Sequence, residues 1–283
     1  MGRVGCVVLV LVGLAAFGVF ITWVMKGRMA QNRAYDINHL RMLGQAVGTA
    51  ADADRPLFAS EKKKAAADKP PAGPQAVPAG TVVNPALPPD HRLSWVVHLL
   101  PLLDLGGADA TQLLAGIDRT QPWDGPANKT AARIPLAILT SLANPPADPA
   151  VTQYVGNGGV GPGGPTWADD QPPPTAGCWR YDAPTPFSAI TDGLSGSVLF
   201  AEVSTDLGPW LRGGPATVRT FDPAAGAKPP IGVGGQFGGN HPGGGLFAFA
   251  DTSVRFLTDR TSPEVLRGLF TIAGGAADPV PGE

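Results

Sequence analysis

The longest uninterrupted apolar stretch stands at the start of the chain, where residues 4–25 read VGCVVLVLVGLAAFGVFITWVM without a charged side chain. A helix over this stretch reaches about 33 Å, enough for a hydrocarbon core of about 30 Å, and in lipid only a helix satisfies its own peptide groups. Trp23 suits the headgroup level at one end. The run is too long for the apolar region of a cleaved signal peptide, and Trp23-Val24-Met25-Lys26 lacks the small residues of a cleavage site. The pattern predicts a transmembrane anchor over residues 1–25, with the lipid bilayer as partner through residues 4–25.

Beyond Lys26 the pattern changes period. Met29, Ile37, Leu40, Leu43, Ala46 and Val47 recur at spacings of three, four or their sums, which predicts an amphipathic helix over residues 26–50 continuing the anchor. His39 lies in this stretch and reads as structural rather than as a ligand. Residues 51–92 hold a Lys62–Lys64 run and dense proline, and predict a Pro/Ala-rich linker or loop. The remainder, residues 93–283, is expected to be a globular, mostly-β domain. Its first segment, RLSWVVHLLPLLD, suits a short buried helix distorted at Pro101, with His98 as a core histidine. Residues 152–156 read as a short strand before a glycine loop. SVLFAEV reads as another strand, and LFAFA and VRFL as a hairpin around Asp251-Thr252-Ser253. Ser262 and Pro263 open a closing helix as N-cap and first residue.

Composition narrows the function classes. The chain has 283 residues, with 21 Lys and Arg against 23 Asp and Glu, so no basic face for nucleic acid is expected. Its 38 glycines and 31 prolines favour short strands and turns over long elements. Cys6 lies in the apolar run and Cys178 far beyond it, which predicts neither a disulfide between them nor a thiolate zinc site.

Candidate chemistry is sparse. The glycine-rich stretch after Tyr154 lacks the strand-loop-helix context of a phosphate cradle. Asp192-Gly193 and Ser195 precede a strand without forming a nucleophile elbow. Asp192 and Glu202 are considered as cation ligands, against the simpler reading of a turn residue and a strand-face acid. No catalytic residue, metal or cofactor is assigned, and the chain reads as a non-enzyme. Trp95, Trp123, Trp179, Trp210 and Tyr181 are candidate ligand contacts, weighed against core packing as the ordinary use of tryptophan.

Taken in order, LSWVVHLLPLLD (93–104), QPWDGPANK (121–129), TQYVG (152–156), AITDGLSGSVLFAEV (189–203), Gly208-Pro209-Trp210 and NHPGGGLFAFADTSVRFL (240–257) carry a specific likeness. The chain resembles a large bacterial family, frequent in planctomycetes, with a prepilin-type N-terminus, a C-terminal His-x9-Asp-Gly motif and no assigned function. The resemblance implies an α+β, pilin-like fold with a long N-terminal helix packed on a Gly/Pro-rich antiparallel β domain. It implies a membrane-anchored, pilin- or pseudopilin-like structural protein, or a type II secretion-associated envelope protein, partnered by related pilin-like chains. The alternative is an extracytoplasmic solute- or glycan-binding module. His241 and Asp251 match the signature pair as structural residues, with Thr252 where the family usually has glycine. Residues 4–25 lack the glutamate of prepilins, and no basic leader is read ahead of them. The flanking Lys26, Arg28, Arg33 and Arg41 favour a cytoplasmic body by charge count, whereas the resemblance implies a periplasmic or extracytoplasmic one.

Overall fold

The computed structural model describes residues 3–52, 76–105, 109–168, 171–224 and 228–275, with side chains in the first helix at Leu14 and from Ala16 onward. Helix α1 runs unbroken over Arg3–Asp52, 50 residues without a proline, or about 75 Å. In its first half Phe17, Phe20, Trp23 and Met25 are exposed, whereas Leu40, Leu43 and Val47 are fully buried. Much of the predicted span over residues 4–25 lies outside the residues whose side chains are described. Among the described residues, no helix is long and apolar enough to cross a membrane.

The second half of α1 lies on a five-stranded mixed sheet. Its strands are β2 (Tyr154–Val160), β4 (Val198–Glu202), β5 (Val218–Phe221), β6 (Gly244–Phe249) and β7 (Val254–Thr258), in the order β5-β2-β4-β6-β7. All neighbouring pairs are antiparallel except β2 with β5. A two-stranded piece, β1 (Ala76–Val77) with β3 (Thr185–Pro186), lies apart from it. The fold is thus α+β.

The pleat of β6 shows how the layers form, because alternate side chains must point to opposite faces. Leu246 and Ala248 join the core containing Leu40, Leu43, Trp95 and Trp179. Phe247 and Phe249 join the opposite core with Leu266, Leu269 and Phe270 of α4 (Pro263–Phe270). β4 and β6 are buried along their whole length, as central strands covered on both faces must be. Helix α2 (Val96–Leu99) tightens at Leu100 into a 3-10 turn containing Pro101, which lacks the amide hydrogen that would continue it. A second short helix, α3 (Ala110–Ala115), is capped by Asp109. In α4 the Ser262 hydroxyl accepts from the Val265 N–H, and Pro263 holds the first position.

Two sequence expectations change. The glycines after Tyr154 form strand rather than flexible loop, because close neighbours leave no room for side chains. A Cβ on Gly156 would lie 2.8 Å from the Trp179 ring, and one on Gly159, at φ +95°, would lie 2.1 Å from the Thr175 carbonyl oxygen. Asn157 holds this strand from within, donating from Nδ2 to the carbonyls of Val198 and Phe270 at 2.8 and 3.0 Å. Within the stretch read as linker or loop, residues 53–75 lie outside the described residues. From Ala76 the chain is packed into the body: Val77 and Thr81 are fully buried, and the Gly80 N–H donates to the Arg180 carbonyl at 2.6 Å. Extended chain here satisfies its amides on neighbouring segments, which proline-rich composition alone does not reveal.

Cys178 is a free, buried thiol that burial pushes up to about 12.

Candidate functional site

The polar groups that stand out sit between α1 and the sheet. Asp36 precedes Leu40, Leu43 and Val47 by four, seven and eleven residues, so helical geometry puts its carboxylate on the same buried stripe. Its side chain is fully buried. The Ser141 hydroxyl and the Leu142 N–H both donate to it, the latter at 3.3 Å. Glu202 ends β4, and its Oε2 accepts from the Leu246 N–H across the β4–β6 pair at 2.9 Å. His241 precedes β6 through the turn at Pro242-Gly243, where Gly243 has φ +79°.

These three segments converge. His241 Nε2 lies 3.1 Å from Asp36 Oδ2 and 3.4 Å from Glu202 Oε1. One ligand-capable atom from each residue falls within 4.8 Å of the others, and all three residues are buried. Tyr154, fully buried, lies against the two carboxylates, and neither its hydroxyl, Glu202 Oε1 nor His241 Nε2 has a well-aligned hydrogen-bond partner. Burial raises the Tyr154 pKa well above its ordinary value, and the Asp36 and Glu202 charges push it further. Burial also raises the Glu202 carboxyl, opposed by His241 and the Leu246 N–H. The His39 ring lies 4.0 Å from that of Tyr35 at a tilt of 52°, and burial lowers its pKa.

A surrounding amide network fixes the cluster. Asn240 donates to the Val203 carbonyl at 3.1 Å, while its own side-chain oxygen accepts from Gln153 at 3.0 Å and Asn144 at 3.1 Å. The geometry can hold a proton, or a small cation, between a helix and a sheet. Among the described residues the cluster is closed to solvent, with Asp36 and Glu202 fully buried and His241 5% exposed.

The signature pair separates in space. His241 joins the cluster at one end of β6, while Asp251 lies in the turn at the other, with a six-residue strand between them, about 20 Å. Asp251 Oδ1 accepts from the Ser253 N–H at 2.9 Å and its hydroxyl at 2.6 Å, a turn cap. Thr252 takes the left-handed conformation at φ +68° beside α1, where a Cβ on Gly44 would meet its Cα at 3.5 Å and its Cγ2 at 3.6 Å.

The aromatic candidates do not form one platform. Trp95, Trp179 and Trp210 are fully buried, and their indole N–H groups donate to the carbonyls of Thr217, Leu199 and Ile134. That corrects their reading as ligand contacts, because core tryptophans with satisfied N–H groups present no face to solvent. Trp123 is partly exposed beneath the Arg212 guanidinium at 5.7 Å. Tyr181 is 8% exposed at the edge of an open groove. Asp192 is a turn residue accepting from Gly274 and Gly275 N–H.

Asp36 is the residue that sequence reasoning missed. Its signal was available: an acid four residues before Leu40 on an apolar stripe is a buried charge that needs a partner. Glu202 was considered for a cation site with Asp192, but its partners are Asp36 and His241.

A family model described as a protein of unknown function (DUF1559) matches residues 72–264, more than half of the chain. No curated protein and no solved structure matches.

Proposed function

The chain belongs to this DUF1559 family of unknown function, and from that premise we propose that it is a single-pass, membrane-anchored, pilin-like structural or secretion-associated envelope protein without catalytic activity. The carrying observation is α1: one continuous helix whose first described turns expose Phe17, Phe20, Trp23 and Met25 while its second half is core. Exposed apolar side chains on a helix need a cover, and lipid or neighbouring stems of the same kind supply it. The burial of the cluster between helix and sheet supports a scaffold role for it. The body is assigned to the periplasmic or extracytoplasmic side. Arg33, counted among the flanking positive charges, stacks on Phe256 at 3.9 Å and so serves the packing of the body.

Membrane retention and stem-to-stem contact test this reading together. The full chain should resist alkaline extraction from membranes, and a photocrosslinker at Phe17 or Phe20 should yield ladders with pilin-like chains. Release by alkali would sink the anchor. Retention without any ladder would leave an anchored protein that does not assemble.

A second reading, solute or glycan binding, draws on an open groove of about 760 Å³ with Tyr181, Arg212, Arg219 and Lys228 on its walls. Asp206 pairs with Lys228, and Asp90 lies 3.7 Å from Arg212, so part of that charge is already matched. Saturable binding lost in Tyr181→Ala would favour this reading.

A further inference from the structure

We propose that Asp36, Glu202 and His241 form a buried site for one divalent first-row transition cation, which staples α1 to the sheet. The proposal is independent of the envelope role.

Three observations carry it. First, the donors come from helix, strand and loop and meet at one point, His241 Nε2 standing 3.1 Å from Asp36 Oδ2 and 3.4 Å from Glu202 Oε1. Two ligands each about 2.0–2.1 Å from a tetrahedral ion stand about 3.3–3.4 Å apart, so the spacing is that of ligand edges. Second, Glu202 Oε1 and the fully buried Tyr154 hydroxyl have no well-aligned hydrogen bond, and His241 Nε2 faces the two carboxylates of the cluster itself. Tyr154 lies against both carboxylates and is placed to complete the coordination or to bond a ligand oxygen. Third, the cluster sets two fully buried carboxyl groups against one imidazole, and a divalent cation can stand in for the protons that would otherwise neutralise them.

The donor set selects the ion. One imidazole nitrogen with two carboxylate oxygens suits Zn²⁺, Mn²⁺ or Fe²⁺, whereas Ca²⁺ requires six to eight oxygens and Cu⁺ prefers sulfur. The outer contacts already orient the ligands: Ser141 and the Leu142 N–H hold Asp36, and the Leu246 N–H holds Glu202 Oε2. Such an ion would tie residues 166 and 39 positions apart in sequence, and its removal would loosen the docked half of α1 first.

The test uses the full chain in detergent, stripped with chelator, offered Zn²⁺ or Mn²⁺ and passed through gel filtration before elemental analysis. Retention of about one equivalent per chain is expected, with a raised thermal midpoint. Asp36→Asn and Glu202→Gln should each weaken Zn²⁺ binding about tenfold or more, while Asp251→Asn, at the far end of β6, should bind as the unaltered chain does. X-ray absorption on the unaltered Zn²⁺ form, which does not depend on any variant folding, should show nitrogen and oxygen donors including one histidine. Failure to retain either ion, binding undiminished in both site variants, or a zinc shell without histidine would each overturn the proposal and leave the cluster as a proton-bridged latch.

Discussion

Phe17, Phe20 and Trp23 are exposed on α1, while Leu40, Leu43 and Val47 of the same helix are fully buried. Both halves are rich in apolar residues and share one unbroken backbone, so helix propensity does not distinguish them. The partner does. The later half lays an apolar stripe of Leu40, Leu43 and Val47, with the buried Asp36 in line, onto Leu246 and Ala248 of β6 and the tryptophan core, and tolerates polar residues on its outer face. The earlier half, in its described turns, exposes apolar side chains on several faces, as the proposed cover of lipid or other stems would allow. Periodicity in the sequence therefore reports what a helix faces as much as whether it is a helix.

This contrast can be broken most severely with one charge. Leu43→Asp should cost about 4 kcal/mol or more of body stability in chemical unfolding, through an unpaired buried carboxylate and lost packing. Phe20→Asp should leave the body within about 0.5 kcal/mol of the unaltered protein and weaken membrane retention instead. Equal effects on the body would erase the distinction between the halves. Next in size, Asp36→Ala leaves the Ser141 hydroxyl, the Leu142 N–H and His241 without their buried acceptor, and about 3 kcal/mol should be lost. Asp36→Asn, which keeps an acceptor oxygen, should lose less.

Acid sharpens the comparison through α2, which packs beneath the docked half. Burial is the main cause lowering the His98 pKa, and nearby Arg119 lowers it too, against the Thr81 carbonyl that raises it. The folded state therefore resists protonating His98. Its contribution is complete above the unfolded value near 6.5 and is lost as pH falls from there through the lowered folded value. Body stability should decline over that window, and His98→Gln should flatten the decline. Arg33→Ala, which removes the stacking on Phe256, should cost about 0.5–1 kcal/mol. Thr252→Gly should have the smallest net effect, because relief of a left-handed conformation worth about 1 kcal/mol or more is offset by loss of the side chain beside Gly44.

Local signals were the legible ones. The amphipathic half of α1 follows from spacing, α4 from Ser262 and Pro263, the β6–β7 hairpin from two apolar runs around an aspartate, and the kink after α2 from Pro101. Each depends on residues within one or two turns of each other. The cluster of Asp36, Glu202 and His241 depends on three segments that only the sheet order brings together, so no window along the chain contains it. The His241–Asp251 interval, read as structural, proves to span a strand: the fixed spacing between two polar residues marks the length of β6 and not a contact. The glycines of β2 were opaque for a related reason, since their role is to admit Trp179 and the 175–177 backbone, both distant in sequence.

The central claim is that α1 changes surroundings midway, and cysteine accessibility along it in intact membranes tests this directly. Single cysteines placed in a Cys6→Ala, Cys178→Ala background at Phe17, Phe20, Gln31, Asn38 and Gln45 would be offered a membrane-impermeant maleimide. Positions 17 and 20 should stay unlabelled until detergent is added, while 31, 38 and 45 on the outer face of the later half should label readily from the body's side. Equal labelling at all five positions without detergent would contradict the account.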